Sequence, residues 1–112
     1  MEKKKYEDHL NSRKKEITDQ VMKKLIVRRK KLGLTQQDIA ERTGMQRPNI
    51  SRVESGRLTP SLEVLIKLAG SMGLELQIDF KDCVDKPDNL FGVKKTEEEY
   101  DEFRKINRNK KL

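Results

Sequence analysis

From position 17 onward the apolar residues follow two rhythms, a helical one lasting to about residue 73 and an alternating one after it. Ile17, Val21, Leu25 and Leu32, with Met22 and Ile26 beside them, recur at helical spacing up to a stop at Gly33. Thr35 then reads as the N-cap of a second helix carrying Ile39 and Ala40, and Asp38 brings a carboxylate into its first turn. Gly44 stands where the following turn needs positive φ, and Pro48 falls in the opening turn of a third helix, where a missing N–H costs little. Gly56 ends that helix. Pro60 and Ser61 open a fourth, for which Leu62, Leu65, Ile66, Ala69 and Met72 supply a buried face. After Gly73 the period drops to two, with Leu74, Leu76, Ile78 and Phe80 alternating against Glu75, Gln77 and Asp79, a pattern that predicts a strand over 74–80.

The two ends are less patterned. Residues 1–16 are almost all charged, and only Tyr6 and Leu10, four apart, suggest a helical stripe that would be marginal in isolation. Residues 81–95 read as a loop broken by Pro87 and Gly92. Thr96 followed by Glu99 makes a capping box for a last short helix holding Tyr100, Phe103 and Ile106. The expected organisation is a charged arm (1–16), a helical domain with a terminal strand (17–80) and a tail with a short helix (81–112). A lone strand cannot satisfy its own backbone groups, so it needs an edge from a second copy, from residues 89–93 or from a foreign chain.

The stretch 36–55, QQDIAERTGMQRPNISRVES, has the residue types of a helix-turn-helix at the spacing that motif requires. Ala40 is small where a second helix must cross closely, Gly44 takes the turn, and Ile50 and Val53 aim one apolar edge of the second helix at the Ala40 face. The outer edge is left polar, with Gln46, Arg47, Asn49, Ser51 and Arg52. The plainer alternative is a small helical hairpin with a glycine turn. A DNA reader would place the helix from about residue 46 to 55 in the major groove, its N-terminal residues facing base edges. Arg47 and Arg52 are then the base readers, since each guanidinium can donate two parallel hydrogen bonds to guanine O6 and N7. Gln46, Asn49 and Ser51 become secondary readers or phosphate ligands, and Pro48 is left with van der Waals contact to a thymine methyl. For Arg52 the competing role is a surface salt bridge to Asp38 or Glu41.

Residues 33–73, GLTQQDIAERTGMQRPNISRVESGRLTPSLEVLIKLAGSMG, closely resemble the lambda-repressor-like (XRE-type) helix-turn-helix domains, through LTQ, the NISRVESG block and the PSLEVLIKLA helix. The resemblance implies a mostly α fold, a compact DNA-binding helical domain acting as a homodimer on a two-fold operator in double-stranded DNA. Continuing as LELQIDF, the segment looks most like HigA-type antitoxins. By the same resemblance Gln36, helped by Thr35 and the N–H groups of that first turn, clasps the DNA backbone. Arg57 and Thr59 match a second backbone-contact position, and Arg29 and Glu54 match positions that pair across the domain. A fold that must dimerise to read a two-fold site favours pairing of the 74–80 strands through Leu74, Leu76, Ile78 and Phe80, antiparallel about the two-fold axis.

Composition adds bounds. At 112 residues, 33% hydrophobic and without Trp, the chain can build one modest core. Its net charge of +7 is uneven: 12 basic against 5 acidic residues in 1–33, 5 against 6 in 34–80, and 9 against 8 in 81–112. The excess near the N-terminus can add a salt-sensitive attraction to phosphate, or simply solvate a helix. The single cysteine, Cys83, excludes an internal disulfide and fits a reducing compartment. With no 18-residue apolar run and no signal-peptide core, a soluble cytoplasmic protein without membrane contact is expected. His9, alone in the charged arm, and Cys83, without a histidine to activate it, form no metal or catalytic constellation, so neither an enzyme nor a cofactor is expected. Two roles stay open: a stand-alone transcriptional repressor, and a type II antitoxin whose arm or tail covers a toxin protein while the domain represses its own operon.

Overall fold

The helices of this chain are bounded by local chemistry. Thr35 and Ser61 accept hydrogen bonds from the N–H groups three residues on, and each helix between residues 3 and 73 is followed by a glycine at positive φ: Gly33, Gly44, Gly56 and Gly73. At Gly33 (φ 69) the chain reverses so that the Gly33 N–H reaches Lys30 O at 3.0 Å and the Leu34 N–H reaches Arg29 O at 3.0 Å. This pair of bonds satisfies terminal carbonyls only if the residue between the helix and Leu34 is left-handed, hence glycine. Leu34 is thereby turned back against the core.

A computed structural model describes residues 3–81 and 105. Among these it contains four helices: α1 (Lys3–Lys31), α2 (Gln36–Thr43), α3 (Arg47–Glu54) and α4 (Leu62–Ser71). The chain divides into two compact units. Ser12–Gln77 is one of them, and it holds the hydrophobic core of the described residues. The other takes in both chain ends, of which 3–11, 78–81 and 105 are described.

The core joins Met22 and Leu25 of α1, Ile39 and Ala40 of α2, Ile50 and Val53 of α3, and Leu68, Ala69 and Met72 of α4. Val21, Leu34, Met45, Val64 and Leu65 close its edges, and no polar or charged residue of the described chain is fully buried. Ile39, Ile50 and Val53 are the most completely enclosed, so the junction of α2 and α3 is the best-packed part of the fold. Burial of each such side chain contributes roughly 1.5–3 kcal/mol.

The packing departs from the expected faces at both outer helices. Ile17 on α1 and Leu32 just past its end are 45% exposed, and Met22 and Leu25 carry the contact. On α4, Leu62 and Ile66 are each 54% exposed, and Leu68 takes the buried place expected of them. Apolar residues stand on nearly every side of α4, so periodicity alone does not select a face. Residues 1–16 and the helix from Ile17 were expected as arm and domain; α1 runs through both without a break, braced by i,i+3 and i,i+4 pairs, Arg13–Glu16 at 3.0 Å and Lys15–Asp19 at 2.9 Å.

No strand is assigned over 74–81, where the chain is irregular. The alternation of Leu74, Leu76, Ile78 and Phe80 needs a partner backbone before it becomes a strand. The expected loop at 81–95, Cys83, the 89–93 segment and the tail helix with Tyr100, Phe103 and Ile106 lie outside the described residues apart from Lys81, while Lys105, described, is helical.

Candidate nucleic-acid interface

The α2–turn–α3 unit starts from a reciprocal cap. Thr35 Oγ1 accepts from the Asp38 N–H at 3.0 Å and Asp38 Oδ2 accepts from the Thr35 N–H at 2.8 Å. The Thr35 N–H first, and the Thr35 hydroxyl after it, hold the Asp38 carboxyl below the ordinary carboxylate range, with Arg42 adding a smaller pull. The cap uses the Thr35 N–H as a donor and its hydroxyl oxygen as an acceptor. The donors left at the start of α2 are the Gln36 and Gln37 N–H groups, which have no carbonyl one turn before them.

At the other end of α2, Gly44 (φ 75, ψ 6) donates to Ala40 O at 2.9 Å, and Thr43 Oγ1 donates to Ile39 O at 2.7 Å while accepting from the Met45 N–H at 3.2 Å. The turn is thus closed by its own residues, and Met45 is carried into the core edge. α3 begins at Arg47, one residue later than expected, with Gln46 as N-cap making no side-chain cap bond and Pro48 in the first turn. The Asn49 N–H is taken by Gln46 O at 2.9 Å. Gln46 therefore keeps its amide free of the cap and exposed.

The inner edge of α3 is sealed, Ile50 at 0% and Val53 at 1% exposure, and its outer edge lies open. Gln46, Arg47, Pro48 and Arg52 are exposed, Asn49 and Ser51 half-buried. Arg52 Nη1 donates to Asn49 Oδ1 at 2.9 Å, one turn back on the same helix. Among the described residues its ion-pair alternatives, Asp38 and Glu41, are not its partners. In the loop after α3, Arg57 and Thr59 are exposed, and Arg57 and Leu58 N–H groups both reach Arg52 O, at 2.9 and 3.1 Å.

Beneath this surface Arg29 and Glu54 form a two-bond ion pair, Nε to Oε2 at 2.8 Å and Nη2 to Oε1 at 2.9 Å, with side chains only 12% and 13% exposed. Arg29 Nη1 also donates to Leu34 O at 2.9 Å, so one guanidinium ties the ends of α1 and α3 to the link into α2. Gln36 Nε2 donates to Glu54 Oε1 at 3.1 Å, and Arg47 Nη1 stands 3.5 Å from Gln36 Oε1. Arg42 Nη1 donates to Ser71 O at 2.8 Å and fastens α2 to the end of α4. The Gln36–Glu54 and Arg42–Ser71 contacts leave no trace in the residue pattern, because their partners are 18 and 29 positions apart.

Chemically, the surface offers guanidinium, amide and hydroxyl donors beside helix N–H groups. Among the described residues no group of three or more His, Cys, Asp or Glu side chains could hold a metal ion. None of the described helices is long and apolar enough to cross a membrane.

The helix-turn-helix family pattern matches residues 25–78, the span that contains this unit and the core around it. The chain is 38% identical over 58 residues to an uncharacterised HTH-type transcriptional regulator of Haemophilus influenzae, covering 52% of this chain and 59% of that relative. It is 47% identical over 47 residues to one from Methanothermobacter thermautotrophicus, covering 42% of this chain and 68% of the relative. A third, from Methanocaldococcus jannaschii, is 36% identical over 45 residues, covering 40% and 68%. The chain thus spans about three-fifths of the first relative's length and about two-thirds of the other two. No solved structure matches the chain with comparable significance.

Proposed function

The chain belongs to the XRE-type helix-turn-helix family, and on that footing we propose that it is a DNA-binding transcriptional regulator that lays α3 in the major groove. The observation that carries this reading is the division of α3 into a sealed edge, Ile50 and Val53, and an open edge where Arg47 and Arg52 stand exposed. A helix so anchored presents its side chains as a rigid group. Arg47 and Arg52 read guanine edges, Gln46, Asn49 and Ser51 assist, and Pro48 offers only apolar contact. The backbone is held on one side by Gln36 and the free N–H groups of α2, and on the other by Arg57 and Thr59 in the exposed loop.

The protein acts as a homodimer and represses transcription by occupying a two-fold operator. The dimer forms by antiparallel pairing of residues 74–80 of two copies, burying Ile78 and Phe80, which are 60% and 66% exposed in the single chain. Leu62 and Ile66, one helical turn apart on α4, are each 54% exposed and offer an apolar surface of their own. The antitoxin role adds a protein partner to this DNA-reading domain and predicts co-purification with the product of a neighbouring gene.

Selection of bound duplexes from a random pool tests the reading. The expected product is a two-fold sequence with half-site centres about 34 Å apart and guanine at a position in each half-site. Recovery of no preferred sequence would refute base readout by α3.

A further inference from the structure

We propose that Glu54 is a positioning residue for base readout, acting through Gln36 to set the direction in which the Arg47 guanidinium is offered. The inference rests on α3 being the DNA-reading helix. A carboxylate only accepts hydrogen bonds. Both Glu54 oxygens are held by Arg29, and Oε1 additionally receives Gln36 Nε2 at 3.1 Å. An amide has one donating and one accepting end, so a carboxylate on one side selects its NH2 group and turns its carbonyl away. That carbonyl, Gln36 Oε1, is the atom facing Arg47 Nη1 at 3.5 Å.

The separation is at the long limit of a hydrogen bond, so the contact aligns the guanidinium rather than anchoring it. Alignment suffices to matter, because a free arginine spreads over many rotamers that a two-bond contact to guanine must collapse. The second Gln36 Nε2 hydrogen remains for a phosphate. A single amide thus couples backbone clasping to base reading, and its orientation is set from below by a pair that is nearly buried, Glu54 and Arg29 at 13% and 12% exposure.

The test uses Glu54→Asp, which keeps the negative charge beside Arg29 while drawing the carboxylate back from Gln36 and Arg29 alike. Wild type, E54D, R47A and the double variant are compared by site selection, and the free proteins by NMR of the Gln36 side-chain amide and the Arg47 guanidinium. E54D is expected to stay folded, shift the Gln36 amide resonance, increase Arg47 guanidinium motion and weaken preference several-fold at the one base pair that R47A also affects. In the R47A background it should add nothing at that base pair. Wild-type preference in folded E54D, or an equal further loss in the R47A background, overturns the proposal. R47A that leaves the selected site unchanged overturns the assignment of Arg47 as a reader instead, while unchanged Gln36 and Arg47 signals in E54D overturn the link itself. Should E54D unfold, Gln36→Met cuts the same link with the ion pair intact, and must release the Arg47 guanidinium in the free protein; a guanidinium as ordered as in wild type overturns the proposal.

Discussion

At the residue scale, the arginines divide by depth. Arg29 is spent inside, each of its three guanidinium nitrogens donating to Glu54 or to the Leu34 carbonyl. Arg47 and Arg52 are exposed, and among the described residues they are held by neutral oxygens, those of Gln36 and Asn49. A guanine edge supplies two acceptors to an arginine, so Arg47→Ala and Arg52→Ala should each cost about 1–3 kcal/mol on the selected site and relax preference at one position per half-site. Gln36→Ala should instead weaken all sequences about equally. Binding titrations on the selected site and on single-base variants check this, and R47A R52A selecting an unchanged site would sink the assignment. Arg29→Ala leaves a nearly buried carboxylate without its cation, so thermal or urea unfolding should show a loss of about 3–5 kcal/mol. A loss below about 1 kcal/mol would mean that water screens the pair as it screens a surface one.

At the element scale, two glycines, one just past the end of α2 and one within α4, have opposite consequences. Gly44 sits at φ 75 with open space where a Cβ would go, so Gly44→Ala meets no clash and pays only for its backbone. The expected cost is about 1–2 kcal/mol, with DNA selectivity retained. Gly70 lies within α4, also with nothing within 4 Å of an added Cβ and at negative φ, so Gly70→Ala should stabilise by roughly 0.5–1 kcal/mol. For a domain of this size that raises Tm by several degrees, and calorimetry on the two variants should move in opposite directions. The α2 cap predicts a pH response. The Asp38 carboxyl is depressed by its bonds to Thr35, so its contribution is complete above the unfolded pKa of about 4 and is lost as pH falls through the lower folded value. Amide exchange in α2 should quicken in that acid window, and Asp38→Asn should remove the pH dependence of the cap; an unchanged acid slope in the variant would assign the response to another carboxylate.

At the scale of the whole molecule, large apolar residues stand outside the core. Leu62 and Ile66 on α4, with Ile78 and Phe80 beyond it, are each more than half exposed. If paired 74–80 segments hold two copies together, Ile78→Asp should yield monomers that bind DNA weakly, read by sedimentation at tens of micromolar and by titration on a two-fold site. Wild-type protein sedimenting as a monomer would refute the pairing. Leu62→Asp separates the two surfaces, since it weakens association only if the α4 face shares the interface.

What the sequence by itself determined is what depends on neighbours within about four positions. The Thr35–Asp38 and Ser61 caps, the turn at Gly44, the place of Pro48 and the ends of the helices were legible because each is a contact closed inside one turn of chain. The choice between Ile39, Ala40, Ile50 and Val53 as core was legible too, since α2 and α3 are short and each carries one apolar edge. Tertiary structure decided the rest. It chose Leu68 over Leu62 and Ile66 on a helix apolar on several sides, because only the position of α2 distinguishes them. It brought Gln36 to Glu54 across 18 positions, where the residue identities allow many pairings and packing selects one, while the Arg29–Glu54 pair across 25 positions was expected through the family resemblance alone. It left 74–80 without an assigned strand, because a strand is a property of two backbones, and alternation in one chain supplies only half of it.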